Sequence, residues 1–346
     1  MESIKPKPEL HSIQPSKRGI QGLVDALSPE SSYTKPILMT DLDDTIIEPE
    51  KLLWTDGKYH RVFPETAAAL MAVNRSGVSL GVVTEQSFTQ LEPTLYDVAK
   101  IALGEGASIY DLYNGPVIGE GGGVGRRGSG RKQGELVVMT PPQAREDRKK
   151  ILKWLKINIT KGNPNDSWGH LSGVNPEIGT QVQLPDAAQG IATITLWEKG
   201  PHVTKDPSYI VRYNNVQTRV NEALNEFGIT SLETYEAGIG SLRIVPKGMN
   251  KARTVGLLAG IGAFDRNRMG FACDGPNDVK FARELRAKGG AVIAVGNAVP
   301  ELHEIADYSA KEHSGRGFAE AISQIFPQQY EQSIRDLHKR GLSLIE

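Results

Sequence analysis

The chain has 346 residues, with 40 Lys and Arg against 41 Asp and Glu and a formal net charge of −1. That balance gives no electrostatic footing for a nucleic acid or an anionic membrane as bulk partner. Cys273 is the sole cysteine, which excludes an internal disulfide and points to a reducing, cytoplasmic setting; no apolar run reaches the roughly 18 residues of a membrane-spanning helix.

Residues 1–34 read as a polar, proline-dotted tail without the apolar stretch of a secretory signal, and Ile20 to Leu27 reads as a short docking helix. A first buried strand is predicted over Lys35 to Thr40. The helix Pro64 to Arg75 follows, with Ala67, Leu70, Met71 and Val73 on its apolar side. A second strand, Gly77 to Val83, stops at Thr84. A helix from Phe88 to Lys100 and a third short strand, Ser108 to Leu112, come next. Strands alternating with helices predict a parallel sheet with crossover helices.

The rhythm then changes. Gly119 to Lys132 is rich in glycine and arginine, has no periodicity, and reads as a flexible loop or hairpin tip. A strand (Glu135 to Met139), a charged helix (Pro142 to Lys156) and an irregular stretch to Gln189 follow. Then come a strand (Ile191 to Trp197), a helix (Ser208 to Phe227) and a strand (Ser241 to Val245). This mixture predicts an inserted mixed α/β domain over residues 114–243, with the core formed by residues 35–113 and 244–346. The α/β rhythm resumes with a helix from Asn250 to Ile261, the strand Met269 to Cys273 and the helix Asn277 to Lys288. The strand Gly290 to Val295, the helix Pro300 to Ala306, a short Tyr308-Ser-Ala and the helix Arg316 to Phe326 complete it.

Four polar islands stand at the ends of predicted elements. In Asp41-Leu-Asp-Asp-Thr45, the i and i+2 carboxylates of Asp41 and Asp43 share one face of an extended chain. They crowd one another unless a cation or a proton lies between them. The pair suits a nucleophile and a general acid/base; taken alone it also fits a structural cation site or an acidic turn. Thr84 offers a hydroxyl and a backbone N–H to a phosphoryl oxygen, as many strand-end threonines do. Lys251, at a helix N-terminus where the dipole disfavours cations, makes sense beside carboxylates and an anionic ligand, with Lys247 as its competitor. In Cys273-Asp-Gly-Pro-Asn-Asp278, Asp274 suits a hard cation, and Asn277 and Asp278 suit helix capping.

In order and placement these islands resemble the four motifs of the haloacid dehalogenase superfamily: Asp41 to Thr45 the first, Thr84 the second, Lys251 the third, Asp274 to Asp278 the fourth. Val295-Gly-Asn-Ala-Val-Pro-Glu-Leu302, with Ala306-Asp-Tyr308 and Gly315-Arg-Gly317, is similar to the C-terminal stretch of one branch. That branch carries a large cap between the second and third motifs and includes sucrose-phosphate and mannosyl-3-phosphoglycerate phosphatases. The resemblance covers residues 35–113 and 240–326; the cap matches in position and mixed character.

The resemblance implies a Rossmann-like parallel-sheet core with an α/β cap. It implies Mg²⁺-dependent hydrolysis of a phosphate monoester of a small metabolite, in that branch a sugar phosphate, through an aspartyl-phosphate on Asp41. Mg²⁺ would be held by Asp41, the backbone carbonyl of Asp43, and Asp274. Asp43 would be the acid/base, Thr84, Lys251 and Asn277 would hold the phosphate, and Asp278 would orient Lys251 or a metal-bound water. The implied partner is a small phosphorylated metabolite, with neither nucleic acid nor membrane. The alternatives are a phosphomannomutase-like phosphotransferase and a non-catalytic sugar-phosphate sensor. The chain departs from the branch where Glu85-Gln86 replaces Gly-Arg after Thr84, where Cys273 replaces glycine, and where Asp44 replaces a commoner glycine or asparagine. In the cap, Arg126, Arg127, Arg131 and Lys132 can reach a second anionic group of the substrate, or form a solvated basic loop. Trp168 and His170 can contact a sugar, or be a packed aromatic and a surface histidine.

Overall fold

A computed structural model describes residues 19–27, 35–49, 60–129, 132–160, 181–183, 190–199, 208–236, 241–253 and 266–342. In chain order the strands are β1 (Ile37–Thr40), β2 (Glu48–Pro49), β3 (His60–Arg61), β4 (Ser79–Val83), β5 (Pro116–Gly119), β6 (Val124–Ser129) and β7 (Lys132–Val138). They continue as β8 (Gln181–Gln183), β9 (Ile194–Lys199), β10 (Leu232–Glu236), β11 (Ser241–Pro246), β12 (Met269–Cys273), β13 (Ala291–Ala294) and β14 (Tyr308–Ser309). The large sheet has the order β14-β13-β12-β1-β4-β5-β6-β7. It is parallel from β14 to β5 and antiparallel from β5 to β7. A second, antiparallel sheet has the order β10-β11-β9-β8.

Side-chain alternation sets the layers. Leu38, Leu80, Val82 and Ala272 pack on one face with the helices Pro64–Arg75, Phe88–Leu103 and Ser314–Ile325. Ile37, Met39, Phe271 and Cys273 pack on the other with the helices Val279–Ala287 and Pro300–Ile305. Strands buried on both faces carry continuous apolar runs, as β1 and β12 do. The second sheet buries Ile194, Leu196, Leu242 and Ile244 against the helices Pro142–Thr160 and Ser208–Glu226. No described helix is long and apolar enough to cross a membrane.

Two expectations are corrected. Ser108 to Leu112 is not a strand: Ile109–Leu112 is one helical turn closed by a capping box, in which Tyr110 N–H donates to Ser108 Oγ at 3.2 Å and Ser108 N–H donates to Asp111 at 3.0 Å. The third parallel strand is β5 instead. Of the two readings of Gly119 to Lys132, the flexible loop is overturned and the hairpin holds, since β6 and β7 pair antiparallel. The stretch carries a 3-10 turn (Glu120–Gly122), β6 and the start of β7, at the edge of the large sheet. Its glycines serve close approach: a Cβ at Gly123 would lie 2.7 Å from both Ala192 and the Met249 sulfur, and Gly121 has a φ of 60°. Thus β5 to β7 hydrogen-bond into the large sheet although they fall in the stretch expected to be inserted, and the expected boundary at 243/244 falls inside β11. The strand β10 and the helix Pro327–Lys339 were not predicted at all. Of the expected helix from Asn250 to Ile261, residues 254–261 lie outside the described residues.

The two sheets are joined through Glu120. This fully buried carboxylate accepts from Ile191 N–H at 2.8 Å, Ala192 N–H at 2.6 Å and Thr193 N–H at 3.0 Å. Its own backbone is left-handed, with a φ of 56°, a conformation that persists only where the surroundings enforce it. A Cβ at Gly190 would lie 2.2 Å from Glu120 Oε2, so any side chain there would displace the carboxylate from these donors. Glu120→Gln, which puts an NH₂ group against backbone donors, is expected to lower stability by about 1–3 kcal/mol. Urea unfolding checks it, and an unchanged midpoint would contradict the clamp.

Candidate active site

Three chain segments leave the large sheet side by side, at the carboxyl ends of β1, β4 and β12. In open α/β sheets this edge, where the connections diverge, is where ligands bind. Asp41 follows β1, its N–H donating to Ala272 O at 2.8 Å. Asp274 follows β12. Thr84 follows β4, and its N–H donates to Ile118 O at 3.0 Å. That bond corrects one expectation: the Thr84 N–H belongs to the sheet ladder, and only the hydroxyl remains for a ligand. This hydroxyl accepts from Gln86 N–H at 3.2 Å and keeps its own proton to donate.

Lys251 enters the same space from the end of β11. Its ammonium is fully buried, 2.8 Å from Asp41 Oδ2 and 2.8 Å from Asp278 Oδ1. The competing Lys247 is exposed in the turn before it. Asp278 is also fully buried, and its other oxygen accepts from Gly275 N–H at 3.1 Å. Thr45 Oγ donates to Asp274 Oδ1 at 2.6 Å. One oxygen each of Asp41, Asp274 and Asp278 lie within 4.8 Å of one another.

The electrostatics follow from three carboxylates sharing one ammonium. Burial, then the neighbouring Asp278, pushes Asp41 well above the usual carboxylate range, although Lys251 pulls the other way. Burial and Asp278 likewise push Asp274 up to about 8, against the Thr45 hydrogen bond. For Lys251, burial works to lower the pKa, but Asp278, Asp41 and Glu85 together raise it well above the ordinary value, so it stays charged. An all-oxygen donor set with surplus negative charge is what a hard divalent cation requires. The residues present fit such an ion.

The remaining expected residues are distributed as follows. Asp43 is half-buried and lies outside the three-carboxylate group; its Oδ1 accepts from Gln86 Nε2 at 2.7 Å. Asn277 is half-buried in the 3-10 turn Pro276–Asp278, with its Oδ1 only 2.4 Å from where a Cβ at Gly275 would be. Arg126 lies in β6 and pairs with Glu92 at 3.2 Å, 5.9 Å above the Phe88 ring. It is thus engaged with the helix that follows β4. Arg127 pairs with Pro116 through the strand ladder. Arg131, Trp168 and His170 lie outside the described residues.

The structure adds contacts for residues to which sequence reasoning assigned no role. Asn297 donates to Asp44 O at 2.9 Å and accepts from Ser314 N–H at 2.6 Å. One amide thereby ties together two left-handed residues, Asp44 at a φ of 56° and Ser314 at 47°. Glu85 is held from the second sheet: Arg243 of β11 donates to its backbone carbonyl and lies 3.4 Å from its carboxylate, to which the Tyr235 hydroxyl of β10 also donates. The departure Glu85-Gln86 was the only sequence signal for this contact.

Residues 202–322 match the sequence model of the haloacid dehalogenase-like hydrolases, a stretch that includes Lys251, Asp274 and Asp278. A phosphoglycolate phosphatase from Methanothermobacter thermautotrophicus is 31% identical over 156 residues, which are 45% of this chain and 58% of that relative. In three dimensions the chain is similar to a haloacid dehalogenase-like hydrolase from Bacteroides thetaiotaomicron (TM-score 0.55, 16% identity, 85% of this chain and 100% of that one). It is also similar to the C-terminal domain of the C. albicans trehalose-6-phosphate phosphatase (TM-score 0.56, 13% identity, 91% of this chain and 98% of that one). The fold is that of these hydrolases, a parallel-sheet core with a cap, as the four motifs implied.

Proposed function

We propose that this chain is a haloacid dehalogenase-like hydrolase, as the match over residues 202–322 supports, and that it hydrolyses the phosphate monoester of a small metabolite, with sugar phosphates as the leading substrate class. The observation that carries this reading is the meeting of Asp41, Asp274, Asp278 and the buried Lys251 ammonium at the carboxyl ends of β1 and β12. A phosphoglycolate phosphatase among the relatives supports a small phosphorylated acid as a second substrate class. We take the inserted unit that would cover the substrate as residues 142–246, set by the second sheet and its two helices.

In this reading Asp41 attacks phosphorus and becomes an aspartyl-phosphate. Asp43 protonates the leaving oxygen and then deprotonates the water that hydrolyses the intermediate. Lys251, the Thr84 hydroxyl and Asn277 hold the phosphoryl oxygens as charge redistributes over them. Asp278 fixes the Lys251 ammonium. Mg²⁺ would be held by Asp41, Asp274 and the backbone carbonyl of Asp43. When bound, the ion supplies positive charge that keeps Asp41 ionised and offsets its repulsion from the phosphate.

A panel of sugar phosphates, phosphoglycolate and a chromogenic aryl phosphate, followed by phosphate release, tests the reading. Release with Mg²⁺ is expected, with a loss of about a thousandfold in EDTA, since Lewis-acid stabilisation is worth several kcal/mol. Phosphate isomerised without release would point to a phosphotransferase. Binding without either would point to a sensor.

A further inference from the structure

We infer that Gln86 is a positioning residue for Asp43: its side-chain amide holds Oδ1 and leaves Oδ2 to handle the proton of the leaving group. The inference rests on the acid/base reading of Asp43 given above. Gln86 Nε2 donates to Asp43 Oδ1 at 2.7 Å, and no other side-chain bond to that carboxylate occurs among the described residues. Oδ1 is an acceptor whether or not Oδ2 carries a proton, so an amide donor fits both halves of the cycle.

Two further observations set Gln86 apart from a packed core residue. It is buried, yet its Oε1 has no side-chain or backbone partner among the described residues. Buried amide oxygens are as a rule paired, so packing alone does not account for a glutamine here. The backbone that carries it is also pinned on several sides. Gln86 N–H donates to Thr84 Oγ at 3.2 Å, and Gln86 O accepts from Glu120 N–H at 2.9 Å. Glu85 O accepts from the buried Arg243. A Cβ at Gly119 would lie 2.8 Å from Gln86 O, so the neighbouring strand end is held against this segment. The amide thus projects from a fixed platform, as a group that orients another must.

The chemistry balances as follows. An oxygen of Asp41 bonds to phosphorus while the ester P–O bond breaks. The electron pair of that bond stays on the leaving oxygen, which takes the proton from Asp43 Oδ2. Water then attacks phosphorus and gives a proton to Asp43, the acyl-phosphate P–O bond breaks, and the Asp41 carboxylate is restored. Asp43 matters most in the first half when the leaving oxygen is a poor one. An alkyl oxygen needs the proton, whereas p-nitrophenolate departs without it.

The test is kcat/KM for two esters, the best sugar phosphate of the panel and p-nitrophenyl phosphate, in Gln86→Leu, Gln86→Ala and Asp43→Ala. This parameter reports the step in which the leaving group departs. Each Gln86 variant is expected to lose about 10- to 100-fold on the sugar phosphate and about threefold or less on the aryl ester. Asp43→Ala should show the same selectivity, larger. Equal losses on both esters, or none on either, in both Gln86 variants overturn the inference. Selectivity in Asp43→Ala without selectivity at Gln86 overturns it while sparing the acid/base reading. No selectivity in Asp43→Ala overturns that reading itself.

Discussion

Asp41→Asn is expected to lower phosphate release by about 10⁴-fold or more, because the amide cannot form the covalent intermediate. The same change is expected to leave the unfolding midpoint in EDTA equal or higher. The sign comes from the crowded carboxylates. Asp41 is raised by burial and by Asp278, and Asp274 to about 8, so folding favours their protonated forms. The stability they contribute is complete below the ordinary carboxylate pKa and is lost as pH rises through the folded values. In EDTA the wild-type protein should therefore lose stability as pH climbs toward 8, and Asp41→Asn should lose less. Saturating Mg²⁺ should flatten the wild-type profile. Thermal unfolding at several pH values, with and without Mg²⁺, measures all of this. Full turnover in the variant would sink the nucleophile assignment. A variant clearly less stable than wild type in EDTA would sink the electrostatic picture.

Lys251→Met is expected to destabilise the protein by about 3–5 kcal/mol in EDTA, and to abolish turnover. Methionine fills much of the same space but leaves Asp278, fully buried, without its cation, with Asp41 beside it. Removing one partner of a buried pair costs that much because the other charge is stranded. Mg²⁺ at a hundred times its dissociation constant adds about 2.7 kcal/mol where it binds only the folded state, so partial rescue of stability without rescue of turnover is expected. Urea unfolding is the measurement. A loss under about 1 kcal/mol, the range of exposed ion pairs, would mean that the ammonium does not sit as described.

The core and the carboxylate cluster were legible because their signals are local. The strands Ile37–Thr40 and Met269–Cys273 are short, mostly apolar and followed directly by an aspartate, so both the burial and the carboxylate edge are written in adjacent positions. Of the edge strands, β7 was legible as Glu135 to Met139, but β5 and β6 were not, because glycine reads alike where a chain must flex and where two backbones must approach. The helix Pro327–Lys339 was missed although Tyr330, Ile334 and Leu337 recur at helical spacing, because polar residues fill most of the positions between them. The contacts around Glu85 and Gln86 were hidden for a different reason. Arg243 lies 158 positions from Glu85, and a partner so distant leaves no pattern in either neighbourhood.

Lys251 and Arg243 are carried by one short run of chain, β11 and the turn after it. The second sheet therefore delivers an ammonium to the Asp41 and Asp278 carboxylates as well as a guanidinium to the Glu85 loop, while Glu120 grips the start of the neighbouring strand β9. For protein engineering this means the insert is not an exchangeable accessory. Transplanting a foreign one to change substrate range would strand Glu85 and Glu120 in the recipient and shift the lysine. A working chimera has to move positions 85, 120, 190 and 243 together.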